Sequence, residues 1–273
     1  MFMPTDSVGQ SIYTFVFSII RYLFFAGSAF LIFYVIFKNH PFVKKIQKRW
    51  PTNKDYQREL FYSFITFFIF AAIPFILNNR FVKPHTTIYW HISKYGTAYF
   101  ILAFPLLLLI HDTYFYWMHR LMHHTKLFKF FHVVHHKSTN PSPFAAFAFQ
   151  PTEAFVEAGV IIVYAFTIPV HVLHLFFILM IMTMYNVYGH LGFELYPKNF
   201  NKHWFGKWLN TSVNHNMHHQ YFKGNYGLYF TFWDRIMNTL HKDYDAHYEE
   251  ATNKDETIST HTKINITVTE VTY

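Results

Sequence analysis

Histidines at chemically useful spacings recur three times in the 273-residue chain. His119 and His123 stand four apart, His132, His135 and His136 follow an i, i+3, i+4 pattern, and His215, His218 and His219 repeat it. Helical positions three and four apart share a face, so each short segment can aim two or three imidazoles at one point. At about 100° per residue, the nine steps from His123 to His132 would put the second cluster on the opposite face of a straight helix. The chain must therefore turn within residues 124–131 for the clusters to converge.

Eight imidazoles exceed what one ion holds, because a closed structural site takes four ligands and a catalytic zinc site three plus an open position. The number predicts two ions with four or five nitrogen donors each. Cysteine is absent, which removes thiolate sites and iron–sulfur clusters. Imidazole without thiolate suits zinc, copper, iron or nickel. Redox-inert zinc cannot activate dioxygen, so iron is the choice for an oxidation at a membrane surface. HExxH is also missing, which counts against a zincin-type protease. The scattered histidines, His40, His85, His91, His171, His174, His203, His247 and His261, read as surface, interfacial or packing residues; His111, His124 and His241 stay undecided.

The elements that must position these residues are apolar. Hydrophobic residues make up 52% of the chain and charged residues 14%, with 35 Phe, and they collect in runs of bilayer length. Residues 60–77 carry no charge; residues 13–37 are broken by Arg21, which must snorkel or find a partner. Residues 97–118 form a third run and 158–189 a fourth, too long for one span and short for two. No cleavable signal peptide is expected, since no basic leader or small-x-small site flanks the first run.

The net charge of +8 is concentrated beside a membrane run, with six Lys or Arg within residues 38–54. That is the pattern of a cytoplasmic loop, not of nucleic-acid binding, for which no base-reading face is present. With this loop inside, residues 97–118 deliver His119 to the cytoplasmic face. Residues 158–189 as one helix, about 48 Å long, would carry His215 to the other side. A hairpin bent near Ile168 and Pro169 brings it back. The expected fold is all-α: a multi-pass membrane protein with about four membrane-embedded helical elements and a cytoplasmic helical cap holding a histidine-rich dimetal site. Residues 1–97 would form N-terminal membrane helices and loops, 98–248 the catalytic region, and 249–273 a polar tail ending in the strand-like KINITVTEVTY.

The stretches HDTYFYWMHRLMHH, FHVVHHKSTNPSPFAAFAFQPTE and NHNMHHQYFKGNYGLYFTFWDRIMNT, with the apolar hairpin between them, resemble the fatty acid hydroxylase/sterol desaturase superfamily, and within it sterol C5-desaturase-like proteins. The resemblance implies a membrane-bound di-iron, O2-dependent oxidoreductase that hydroxylates or desaturates a lipid such as a sterol, fatty acyl chain or carotenoid. It carries metal ligation to His119, His123, His132, His135, His136, His215, His218 and His219, and adds His190 as a ninth ligand. Asn186, four before His190, is a candidate holder of a metal-bound water. Asp112, seven before His119 on the same face, is a candidate acceptor that fixes an imidazole tautomer, or else a partner for Arg120 or Arg235. Glu153 and Glu194 are weaker candidates of the same kind. Gly224, Gly227 and the Trp233-Asp234-Arg235 run read as structural, with Asp and Arg pairing to tie the cap. Gln150 stands where sterol C5-desaturase-like sequences often have His, a departure bearing on the sterol assignment.

No GxGxxG fingerprint or fused redox domain is visible, so a separate electron-donor protein of cytochrome b5 or ferredoxin type is expected. Two other readings remain at this point: a zinc-dependent membrane lipid hydrolase, and a non-enzymatic membrane protein binding haem or metal.

Overall fold

The computed structural model describes residues 6–38, 40 and 45–253, and the fold is helical. Among these residues, four helices are long and apolar enough to cross a bilayer: α1 (Ser7–Ile36), α2 (Asn53–Leu77), α3 (Gly96–Met122) and α5 (Val172–Gly189). Between the last two lies α4 (Pro151–Thr167). The 158–189 run is the expected hairpin, broken at Ile168, whose extended backbone ends α4 ahead of Pro169. The bend is pinned by a short parallel pairing of Ile88–Tyr89 with Val170–His171.

Large apolar side chains on these helices face outward. On α1, Val8, Ile12, Val16, Ile20 and Phe24 are all exposed, an i, i+4 row along one face. Phe61, Phe64 and Phe68 on α2 and Leu102, Leu106 and Leu109 on α3 do the same. A contiguous apolar exterior of this kind is stable against lipid rather than water. The chain is an integral membrane protein.

Local sequence explains the helix ends. Thr52 and Asp55 form a reciprocal capping box at the head of α2, Asp55 Oδ2 accepting from the Thr52 N–H at 2.8 Å. His171 and His174, expected as surface, interfacial or packing residues, are buried in the packing. His171 Nδ1 accepts the Leu173 N–H, while the far nitrogens reach the carbonyls of Trp90 (3.0 Å) and Phe100 (2.8 Å). They sit at the far end of the hairpin from the histidine clusters.

At the opposite end the chain turns after α3 through residues 123–127 and continues as two single-turn helices, Phe128–Phe131 and Val133–His136. There α6 (Ser212–Tyr221) carries the third histidine cluster and packs on α7 (Tyr244–Thr252) through Val213, Met217, Tyr244 and Tyr248. Helix α7 runs past residue 249, where the polar tail was expected to begin, and buries Ala251 because that face packs against α6. The KINITVTEVTY segment lies outside the described residues. The basic loop joins this end too: Gln47 Nε2 donates to Asn216 Oδ1 (2.8 Å) and Arg49 Nη2 to Thr139 Oγ1 (2.7 Å).

Candidate metal centre

Three turns of helix and two helix ends bring nine imidazoles together. Among the described residues they form two groups, each with ligand atoms within 4.8 Å of one another: His119, His123, His132, His136 and His218 in one, and His135, His190, His215 and His219 in the other. Each HxxHH unit is therefore split, contrary to the expectation that it aims at a single point. The i, i+4 pairs stay together, as His132 with His136 and His215 with His219. The middle residues, His135 and His218, cross to the other group. Positions i+3 and i+4 differ by about 100° around a helix, so a unit lying between two centres serves both.

The nitrogens themselves reveal what the groups are built to hold. His119 Nδ1 donates to the Tyr226 carbonyl (3.0 Å), His218 Nδ1 to Gly224 (2.7 Å), His219 Nδ1 to Ser138 (3.0 Å) and His190 Nδ1 to Asn186 (2.7 Å). His132 Nδ1 donates to Glu153 Oε1 at 2.6 Å. A carbonyl only accepts, so these nitrogens carry the proton and each Nε2 presents a bare lone pair. Yet Nε2 of His119 lies 3.0 Å from Nε2 of His132, and Nε2 of His190 lies 3.1 Å from that of His219.

Two facing lone pairs at that distance repel, and protonation does not relieve them. Burial, reinforced by neighbouring imidazoles, holds His132 and His219 well below the ordinary histidine range and His190 at about 4. A cation between them converts the repulsion into ligation. Donors about 2.1 Å from one ion and at right angles to each other stand about 3.0 Å apart, which matches the observed 3.0–3.2 Å spacings, including His123–His136, His135–His190 and His190–His215. The residues present fit two metal ions.

An apolar cavity of about 750 Å³ runs from this centre between α1, α4 and α5 toward the far end of the bundle. Phe115 and Phe149 form its inner wall; the Phe115 ring lies 5.0 Å from His119, in the first group, and Phe149 lies 5.3 Å from His135, in the second. Asn186 also lines it, and that residue's carbonyl holds His190. Phe115 and Phe149 thus stand between this space and the two histidine groups.

Residues 104–239, which carry both groups, match the fatty acid hydroxylase family. The chain belongs to the fatty acid hydroxylase/sterol desaturase superfamily. A Delta(7)-sterol 5(6)-desaturase of Gibberella zeae is 31% identical over 163 residues, 60% of this chain and 48% of the relative. The lathosterol oxidase of Homo sapiens is 32% identical over 142 residues, 52% of this chain and 46% of the relative. One from Schizosaccharomyces pombe, also a Delta(7)-sterol 5(6)-desaturase, is 28% identical over 187 residues, 68% and 59% of the two chains. The chain thus spans about half the length of several curated relatives it matches. No solved structure matches it.

The supports that orient the superfamily histidines are mostly not those the sequence suggested. Asp112 reaches no imidazole: its Oδ1 accepts the Tyr229 N–H (2.8 Å) and the Phe230 N–H (3.1 Å), fastening the 224–230 loop to α3. The other end of that loop is held by Asp234, which accepts from the Tyr226 and Gly227 amides (2.9 and 2.8 Å) instead of pairing with Arg235. Arg235 donates to the Lys207 carbonyl. Both carboxylates are drawn to backbone N–H groups that the tight loop leaves without partners. Gly227 is required there, because a Cβ would stand 2.2 Å from the Phe230 carbonyl oxygen.

Asn186 donates to the Ala146 carbonyl, so its amide braces the 143–147 turn while its backbone orients His190. Of the two weaker candidates, Glu153 reaches His132, whereas Glu194 accepts the Val213 N–H (3.0 Å) at the head of α6. Gln150 is the N-cap residue ahead of α4 and donates to the Phe130 carbonyl. Glu59, unsuspected from sequence, is buried and accepts from Ser138 (2.7 Å) and Ser142, steadying the carbonyl that holds His219.

Proposed function

We propose that the protein is a membrane-bound, di-iron, O2-dependent oxidoreductase that hydroxylates or desaturates a lipid at an unactivated C–H bond. The observation that carries this reading is the pair of histidine groups with opposed, unprotonated Nε2 atoms, separated by Phe115 and Phe149 from a largely apolar cavity. His119, His123, His132, His136 and His218 would hold one iron, and His135, His190, His215 and His219 the other. Iron bound there supplies the redox chemistry with O2 that the side chains lack.

The chain's own residues bind, orient and exclude water. The carbonyls of Tyr226, Gly224, Ser138 and Asn186 keep the proton on Nδ1 and the lone pair on Nε2. Glu153 does the same for His132, its Oε1 accepting from Nδ1. Phe115 and Phe149 screen the centre from water and present the lipid chain to it. The desaturase relatives named above support a lipid substrate. A haem reading is disfavoured because neighbouring Nε2 atoms at 3.0–3.2 Å leave no room for a macrocycle.

We place the histidine cap on the cytoplasmic side, since the basic loop with Lys45, Lys48 and Arg49 packs against it. A separate electron-donor protein of cytochrome b5 or ferredoxin type would dock on that face. The test is O2 consumption by iron-loaded protein across lipid classes. Lipid-dependent uptake requiring an added reductase chain is expected; metal-dependent hydrolysis of an ester lipid with zinc and without O2 would overturn the assignment.

A further inference from the structure

The cap carries an apolar surface that belongs to neither the cavity nor the histidine groups. Trp204, Phe205 and Trp208 stand on the loop before α6, and Phe232 and Ile236 on the single-turn helix Phe232–Ile236. All five are exposed, Trp204 by 75%. An exposed apolar row of this size marks a contact surface. It is built rather than loose. The Thr231 N–H donates to the Trp208 carbonyl (2.9 Å) and Arg235 Nη2 to the Lys207 carbonyl (2.9 Å), locking the two segments together. Trp233 Nε1 donates to Thr113 Oγ1 (3.1 Å), which fastens them to α3.

What covers this surface follows from where it meets α3. Trp117 is exposed on the same stripe of that helix as Leu102, Leu106, Leu109 and Leu121. From Leu102 to Leu121 the stripe rises about 28 Å, close to the thickness of a bilayer's hydrocarbon. Rings then run from Trp117 to Trp233 (5.7 Å between centroids), on to Phe232 (5.5 Å) and from there to Trp208 (6.4 Å). The cap's aromatic row thus continues the lipid-facing stripe at its cap-side end.

Cations accompany the rings. The Arg120 guanidinium lies 5.9 Å from the Trp117 ring, while Lys207 Nζ and the Arg235 guanidinium lie 5.3 and 5.8 Å from that of Trp208. Within residues 204–208 and 230–236 the one carboxylate is Asp234, and it is buried against the Tyr226 and Gly227 amides. Aromatic rings edged by Lys and Arg, with no exposed acid among them, suit the boundary between acyl chains and phosphates.

We propose that residues 204–208 and 232–236 form a membrane-interface anchor. Its rings sit among the upper acyl chains of the cap-side leaflet, and Arg120, Lys207 and Arg235 reach that leaflet's phosphates. The anchor is additional to the four spanning helices and independent of the chemistry at the histidines. Trp117 precedes His119 by two residues, so the anchor also holds the first histidine group at headgroup depth.

The chain has no cysteine, so single introduced cysteines can report on depth. Phe205→Cys and Ile236→Cys, one from each segment, are spin-labelled in the full chain as purified and placed in nanodiscs of phosphatidylcholine and phosphatidylglycerol. Power saturation compares access by O2, which concentrates in lipid, with access by a nickel chelate, which stays in water. Leu106→Cys gives the bilayer reference and labelled free cysteine in buffer the aqueous one. Both labels should fall on the bilayer side of midway between the references. An aqueous value at either would overturn the anchor. Low access to both reagents, the mark of a protein partner or a second copy on this face, would overturn it as well. Adding Lys207→Glu to the Ile236→Cys chain should shift that label toward water, with the unfolding midpoint in detergent unchanged. An unshifted label would overturn the role given to the cations.

Discussion

Glu153 Oε1 accepts a 2.6 Å hydrogen bond from Nδ1 of His132, and through it the membrane hairpin sets the orientation of a histidine on the other side of a turn. Glu153 is fully buried at the third position of α4, where its other oxygen takes the Gln150 N–H. Removing it leaves His132 free to rotate or change tautomer. Glu153→Ala should weaken metal retention about 10- to 100-fold, read by competition with a graded chelator. Glu153→Gln, which keeps an acceptor but no charge, should fall between. Equal retention by all three proteins would show that the contact has no part in holding metal.

Asp112 is predicted to act on stability rather than on the metal. Its carboxylate caps the Tyr229 and Phe230 amides, so Asp112→Ala should cost about 1–3 kcal/mol and lower the unfolding midpoint in detergent. Metal stoichiometry should stay at the wild-type value. Loss of metal without loss of stability would restore the role the sequence suggested.

Protons and folding are coupled through the buried imidazoles. Burial, then neighbouring rings, lowers His132, His135, His136, His215, His218 and His219 well below the ordinary value, and His190 to about 4. Below about pH 6.5 the unfolded chain binds protons that the folded chain refuses. The stability of chelator-treated protein should therefore be full above about pH 6.5 and fall as the pH drops from there toward 4. Thermal unfolding between pH 8 and 4.5 tests this. A midpoint that rises on acidification would contradict the burial of these rings.

The cavity should be separable from the metal centre. Leu179 lines the chamber on α5, and Leu179→Trp fills space there without touching a histidine. Metal content should be unchanged while lipid-stimulated O2 uptake falls about tenfold or more. Full uptake in the variant would mean that the lipid reaches the centre by another route.

Much of this was legible in the sequence because periodicity carries it. The apolar runs, the hairpin break at Ile168 and the turn after His123 follow from residue type and helix geometry, and they appear where expected. Sharing of each HxxHH unit between two groups was not legible, since spacing gives the angle between His135 and His136 but not what lies on either side. Partners of the imidazoles were least visible. Four of them are backbone carbonyls, at Tyr226, Gly224, Ser138 and Asn186, and a carbonyl leaves no mark in a sequence. Asp112 misled because a carboxylate on the right helical face says nothing about a loop over a hundred residues away that needs its oxygens more. Arg21 is buried with no acceptor for its Nε and Nη1 among the described residues, which also depends on what the fold fails to bring near it.

The most direct test of the account is metal content of detergent-purified protein, measured by element-resolved mass spectrometry for wild type, His190→Ala and His136→Ala. His190 has three of the second group's nitrogens around it, and His136 bridges His123 and His218 in the first. The account predicts two irons per chain in the wild type and marked loss in each variant, with the second group's ion lost preferentially in His190→Ala and the first group's in His136→Ala. A single zinc per chain, or no change in either variant, would contradict it.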